Sequence, residues 1–328
     1  MTGAAENLPK GGERLLKACV PCGRHEAMTE FRSGFAALIG RPNVGKSTLM
    51  NHLIGQKIAI TSSKPQTTRQ AIRTVYTCDE GQVVFLDTPG IIRKTKNRLG
   101  EYMLSVSTGA LKEADVILWL VEPSDFVGEG DREIAEALKG VGKPVILVIG
   151  KMDTVEKTAA RGLMESWGKV GNFAAIVPVS GLRGTNLEEL MQAIIRNLPE
   201  GPMLYDADTL TDQPMRDIAA EVIREKALRY LNEEVPHGIA VTIERYHLRE
   251  DGLTQIEASI ICEKDSHKGI IIGKGGTMLR RIGQSARRDL EEMTGGKVYL
   301  KLFVKVRPNW RDNQNLLKLY GYQDKKET

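Results

Sequence analysis

Gly40-Arg41-Pro42-Asn43-Val44-Gly45-Lys46-Ser47 decides the fold. The spacing is GxxxxGK followed by Ser or Thr. It falls where an apolar run, Phe35–Gly40, gives way to a helical stretch, Leu49–Leu53. Strand, glycine-rich loop, helix is the context in which this short motif holds phosphate. Gly40 and Gly45 let the backbone wrap an anion with no Cβ in the way. Loop N–H groups and the helix N-terminus, from Asn43 and Val44 through Thr48, supply a positive concavity. Lys46 is placed to reach β- and γ-phosphates, and the Ser47 hydroxyl to ligate Mg²⁺.

Outward from this loop, short apolar strands alternate with helical stretches. Thr74–Thr77, Val83–Asp87, Val116–Glu122, Val145–Gly150 and Ala174–Val179 read as strands, and Arg98–Leu111, Asp131–Leu138 and Leu187–Leu198 as helices. This alternation predicts an α/β fold with a mostly parallel sheet covered on both faces. Pro199-Glu200-Gly201-Pro202 punctuates its end. A second pattern follows: a helix over Asp217–Leu231, strands over Gly238–His247 and Gln255–Cys262, a basic helix over Thr277–Met293, and a strictly alternating strand over Val298–Val306. The expected organisation is an extension without fixed structure over residues 1–30, a first domain over 31–200, a linker over 201–213 and a smaller α+β domain over 214–323.

Composition bounds the class. Of 328 residues, 41% are hydrophobic, 27% charged and 5% aromatic, which describes a globular chain with an aliphatic core. Val116–Val121 is among the longest apolar runs and is far short of a membrane span, and the N-terminus lacks the apolar segment of a secretory signal. Four cysteines make no disulfide scaffold. A channel, a secreted mini-protein and a fibrous protein are excluded. Cys19 and Cys22 form a CxxC with His25 beyond it, but a zinc site wants four ligands and no second pair exists. Ordered patterning starts just after Met28, a candidate translation start.

Further motifs follow in order. Asp87-Thr88-Pro89-Gly90 ends an apolar strand, where an acid can hold Mg²⁺ through water and Gly90 can offer its N–H to a γ-phosphate. Gln66-Thr67-Thr68-Arg69 lies in a polar loop, and Thr68 is the residue chosen to complete the Mg²⁺ shell in a switch that orders with the γ-phosphate. Lys151 and Asp153 end another strand: the carboxylate can accept from guanine N1–H and its amino group, which adenine cannot offer, while the lysine stem packs on the ring. Ser180-Gly181-Leu182 is placed for a backbone N–H to meet guanine O6.

In the second module Gly273-Lys274-Gly275-Gly276 fits the GxxG loop of a KH domain, which clamps about four nucleotides of single-stranded nucleic acid. Lys268, Ile272, Lys274, Arg280 and Arg281 are the expected contacts, with Ile270, Ile271 and Ile272 forming an apolar groove for bases. Lys264–Arg311 carries twelve basic and four acidic residues, whereas Asp206–Glu257 carries six basic and twelve acidic. The net charge of +4 therefore hides a polarised domain with the basic footprint of phosphate binding. Trp310 and Leu316–Tyr320 read as a closing helix against the KH core.

Together these segments resemble the motifs of translation-factor-class GTPases. With the second module, residues 30–323 are similar to the Era family of ribosome-assembly GTPases. The resemblance implies a Ras-like P-loop GTPase domain followed by a type II KH domain. It implies GTP and GDP with Mg²⁺ as cofactors; Lys46, Asn43 and Thr68 are the expected catalytic residues, and slow hydrolysis is expected because no preorganised side chain aims at the attacking water. It further implies the 3′ end of small-subunit rRNA and the 30S subunit as partners, no DNA, a monomer, and a cytoplasmic location with peripheral contact at the inner face of the membrane. Asn43 is assigned, by the same resemblance, to a K⁺ ion that supplies charge during hydrolysis. The apolar Ile91 after the DTPG is itself part of this resemblance, and two other positions, Gly150 and Gly181, depart from the family. Ile91 stands where Ras-like enzymes carry the glutamine that orients water. Gly150 stands where the base motif NKxD has asparagine, which predicts weaker but still guanine-selective binding. Gly181 replaces an alanine, with little effect expected. The competing reading is an RNA-binding assembly scaffold whose GTPase site is weakened or degenerate. A tRNA-modification GTPase is disfavoured by the KH pattern.

Overall fold

The computed structural model describes residues 30–322 except 63, 65, 66, 91–96 and 157. Cys19, Cys22, His25, Met28, Gln66 and Ile91 lie outside the described residues. The first unit runs β1 (Arg32–Ile39), α1 (Lys46–Ile54), β2 (Ile72–Cys78), β3 (Gly81–Asp87), α2 (Arg98–Glu113), β4 (Val116–Val121), α3 (Glu129–Leu138), β5 (Val145–Ile149), α4 (Ala159–Gly168), β6 (Ala175–Pro178) and α5 (Leu187–Asn197). Its six-stranded sheet has the order β2-β3-β1-β4-β5-β6. Every pairing is parallel except β2 with β3. Every residue of β4 and β5 is buried, as expected for strands covered on both faces.

Each face has its own core. Leu49 and Leu53 of α1 and Leu190 and Ile194 of α5 pack with Leu38, Phe85 and Leu118. On the other face Ile134 of α3 and Leu163 and Trp167 of α4 pack with Ile39, Trp119 and Leu147. Helix α4 is absent from the sequence reading. It buries only Leu163 and Trp167, so its i, i+4 apolar signal is a single pair.

The second unit runs α6 (Met215–Tyr230), β7 (Ala240–Leu248), β8 (Thr254–Cys262), α7 (Asp265–Ile272), α8 (Thr277–Thr294), β9 (Val298–Val306) and α9 (Gln314–Leu319). Strands pair in the order β7-β8-β9, antiparallel then parallel. Ile223 of α6, Ile271 of α7 and Ile282 and Leu290 of α8 form one core with Ile256, Ala258 and Ile260. This corrects the reading of the three isoleucines. Ile271 is fully buried and belongs to the core, while Ile270 is 49% exposed. On a helix, consecutive residues point about 100° apart and cannot share one groove.

The connecting segment is held against the first sheet. Gln82 donates to the Tyr205 carbonyl at 2.8 Å and accepts from the Leu204 and Tyr205 amides at 2.7 and 2.9 Å. Trp310, Leu317 and Tyr322 also differ from expectation. They pack not only on Ala240 and Ile261 but on Leu99 and Met103 of α2, joining the two units through one apolar cluster. Among the described residues, no helix is long and apolar enough to cross a membrane.

Truncating Ile271 to alanine should destabilise the second unit by about 2–5 kcal/mol through cavity formation. Ile270→Ala should stay within about 0.5 kcal/mol of wild type. Denaturant unfolding of the two variants checks the pair; equal losses would return Ile271 to the surface.

Candidate nucleotide site and nucleic-acid face

The parallel register of β1 and β3 sets Leu38 opposite Asp87, so the glycine-rich loop and the DTPG turn leave the sheet side by side. They approach closely: a Cβ on Gly90 would lie 2.6 Å from the Pro42 backbone nitrogen, so only glycine fits. Across this junction Ser47 Oγ donates to Asp87 Oδ2 at 2.7 Å, and Thr68 Oγ1 donates to the same oxygen at 3.3 Å. The two hydroxyls are 3.1 Å apart. Thr67 turns away and donates to the Lys64 carbonyl at 2.6 Å, which separates the two neighbouring threonines. Lys46 Nζ donates to the carbonyls of Gly40 and Arg41 at 3.2 and 3.1 Å.

The charges here are buried. Desolvation brings the Lys46 ammonium down to about 8, opposed by the attraction of Asp87. Burial raises the Asp87 carboxyl, opposed by Lys46 and by the hydrogen bonds from Ser47 and Thr68. Asp87 Oδ1 is buried with no hydrogen-bond partner among the described residues. A spare buried carboxylate oxygen beside two hydroxyls is a hard, all-oxygen donor set that fits Mg²⁺. The Mg²⁺ ligand set read from the sequence is therefore brought together. Val44 is buried in the loop, Gly45 takes φ 105°, and Thr48 is half-buried on α1. Asn43 is exposed and takes φ 65°, a left-handed turn for which asparagine is suited.

The base-side residues also converge. Ser180 Oγ donates to Asp153 Oδ1 at 2.5 Å and holds the carboxyl below its ordinary range. The Met152 amide donates to the Val179 carbonyl at 3.1 Å, tying the two loops. Lys151 takes φ 55° and pairs with Glu122 at 2.6 Å. Leu182 is 72% exposed. Gly181 is more constrained than the sequence reading allowed, since a Cβ there would lie 3.2 Å from Leu49 Cα on α1.

The loop carrying Thr68 is not a solvated segment. Thr68 and Arg69 are 7% and 2% exposed. The Arg69 guanidinium donates to the Ile239 carbonyl at 2.7 Å, the His237 carbonyl at 3.3 Å and the Tyr322 hydroxyl at 3.3 Å, and faces the Trp310 and Tyr322 rings. Arg224 of α6 donates to the Thr67 carbonyl. Lys57 pairs with Glu225 of α6 at 2.6 Å and Asp289 of α8 at 2.7 Å. These partners were missed because they lie more than 150 residues apart, where no local pattern signals contact.

In the second unit the Gly273–Gly276 loop joins α7 to α8, with Gly273, Gly275 and Gly276 at φ 72°, 60° and 76°. Lys274, Arg280 and Arg281 are exposed around it, and Lys268 and Ile272 are half-buried. Arg281 lies 4.4 Å over the Tyr230 ring. The basic surface is narrower than its residue count, because Lys305 pairs with Glu244 and Arg311 with Glu263.

Comparison with known proteins agrees with this geometry. Residues 35–151 match the family described as 50S ribosome-binding GTPases, and residues 234–311 match the KH domain family. GTPase Era of Clostridioides difficile is 50% identical over 297 residues, covering 90% of this chain and 100% of that protein. The chain belongs to the Era family. GTPase Era of a Thermoanaerobacter species is 52% identical over 298 residues, covering 90% of this chain and 98% of that protein. Among solved structures, an Era variant from Aquifex aeolicus bound to GDP and AlF4⁻ is similar with a TM-score of 0.86 at 41% identity, covering 89% of this chain and 100% of that one. Era in complex with MgGDPNP and nucleotides 1506–1542 of 16S ribosomal RNA matches with TM-score 0.86, 41% identity and coverage of 90% and 100%.

Protons would compete with a Mg²⁺ ion held at Asp87. Because its carboxyl is raised, protonation begins at higher pH than for a free aspartate, and Mg²⁺ affinity should fall on acidification in a window opening above the ordinary value of 3.8. Mg²⁺ titration of nucleotide-loaded protein from about pH 7 to about pH 5 checks this, and Asp87→Asn should bind weakly with a flat pH profile.

Proposed function

We propose that this chain is a GTP-hydrolysing switch that binds single-stranded RNA at the 3′ end of small-subunit rRNA during 30S assembly. The observation that carries it is the convergence of Ser47, Thr68 and the spare oxygen of Asp87 beside buried Lys46, in an Era-family chain that also holds an intact GxxG loop. The Era complex with 16S RNA supports the small subunit over the large one as the partner.

Gly40 to Thr48 cradle the phosphates, Lys46 neutralises charge on the β- and γ-phosphates, and Gly90 presents its N–H toward the γ-phosphate. Ser47 and Thr68 would ligate Mg²⁺ and Asp87 would hold it through water; the ion supplies charge neutralisation at the phosphates. Asp153, held by Ser180, selects guanine, with Lys151 along the ring and the Gly181–Leu182 backbone at O6. Lys268, Ile272, Lys274, Arg280 and Arg281, with the glycines at 273, 275 and 276, hold the RNA backbone and bases. The two separate cores support a first domain and a KH domain, with bounds at 31–200 and 214–323 and a 201–213 linker that packs on the first domain through Leu210. Kinship with the Era family supports reading this chain as a cytoplasmic monomer, with any membrane contact peripheral.

Titration with a fluorescent GDP analogue and Mg²⁺ tests the reading. GTP should displace it and ATP should not, and Asp153→Asn should lose that preference. Displacement by ATP as readily as by GTP would overturn guanine selection. For the RNA, Lys274→Ala should weaken binding of a 16S 3′-end oligonucleotide and reduce the salt slope by about one. The K⁺ role of Asn43 rests on the resemblance; an Asn43→Asp protein whose hydrolysis keeps its preference for K⁺ over Na⁺ removes Asn43 from that role.

A further inference from the structure

Glu122 follows β4 directly and uses both carboxylate oxygens. Oε1 is 2.6 Å from Lys151 Nζ, and Oε2 is 3.4 Å from an Arg41 guanidinium nitrogen. Arg41 is the second residue of the phosphate loop, and Lys151 opens the base loop. One carboxylate thus ties the two loops that grip opposite ends of a nucleotide. Arg41 also forms an ion pair, with Nε 2.9 Å from Asp131 Oδ2, and the Asp131 side chain is 1% exposed. Swinging Arg41 away would strand that buried charge, so the bridge has a fixed end.

The residue before Lys151 gives this bridge its importance. Gly150 donates its amide to the Val121 carbonyl at 2.8 Å and has no side chain. A Cβ there would lie 3.4 Å from the Val44 carbonyl of the phosphate loop and 3.5 Å from the Val121 carbonyl, both ordinary contact distances. A Cβ at 150 would therefore fit, in contact with the phosphate loop. The backbone leaves room for a brace that this chain lacks, while a charged brace spans the same two loops from the side.

We propose that Glu122 is a positioning residue for the bound guanine nucleotide, bracing the phosphate loop against the base loop where residue 150 supplies no side chain. The inference rests on the guanine-nucleotide reading. Isolated exposed ion pairs contribute little. This one differs in engaging both oxygens and in being fixed at a buried acid, and its action is read in nucleotide release rather than in folding.

The test is a four-protein cycle: wild type, Glu122→Gln, Gly150→Asn and the double variant. The dissociation rate of a fluorescent GDP analogue is measured with Mg²⁺, alongside the melting temperature without nucleotide. Glu122→Gln should speed release roughly three- to fivefold with the melting temperature unchanged. Gly150→Asn should slow release, and in that background Glu122→Gln should change the rate by less than about twofold, because the amide takes over the bracing. A second cycle leaves residue 150 untouched and pairs Glu122→Gln with Arg41→Gln; the double variant should release nucleotide no faster than the faster single one. Equal acceleration in both backgrounds, or none in wild type, overturns the inference while nucleotide binding stands. Absence of binding in all four proteins overturns the guanine-nucleotide reading and the inference with it.

Discussion

Lys46 and Asp87 are buried together at the carboxyl ends of β1 and β3, and most of the first unit serves to keep them there. Taking an ammonium and a carboxylate out of water is costly, and neither is tolerated without its partner. The opposed shifts of the two groups show how incompletely they compensate each other: burial lowers one and raises the other despite their attraction. A nucleotide phosphate and a divalent cation complete the missing half of that balance. The sheet order explains the location. β1 lies between β3 and β4, so successive crossovers diverge on its two sides and open a crevice at the strand ends. The close packing of Gly90 on Pro42 then brings the DTPG turn against the glycine-rich loop.

Much of this was legible in the sequence because the candidate phosphate- and base-binding residues lie in short contiguous segments, each at the end of an apolar strand. Parallel strands with both faces covered are unbroken apolar runs, and Val116–Val121 and Val145–Ile149 could be read as such. The GxxG loop was legible for the same reason, since its chemistry is local. Choosing Thr68 over Thr67 was not determined by type or position; hydrogen bonds to Asp87 and to the Lys64 carbonyl separate them.

What escaped the sequence depends on contacts between distant residues. Arg69 read as the last residue of a polar loop, yet it is buried against carbonyls and rings of the second unit, because an apolar cluster from α2 and the C-terminal segment closes over it. Ile271 read as groove because three isoleucines in a row carry no information about which face each occupies. Helix α4 escaped because one apolar pair suffices to seat it. Glu122 escaped because a lone acid after a strand has no motif; only its place between Arg41 and Lys151 gives it meaning.

The loop bearing Thr68 is held by the KH unit on both sides of that residue, through Arg224 at the Thr67 carbonyl and through the carbonyls that receive Arg69. A nucleotide that moves Thr68 must work through these same bonds. Binding free energies around a closed cycle sum to zero, so the coupling has a symmetry that no later adaptation can remove. Whatever factor the γ-phosphate applies to the affinity of the KH unit for RNA, RNA must return in full to the affinity for the γ-phosphate.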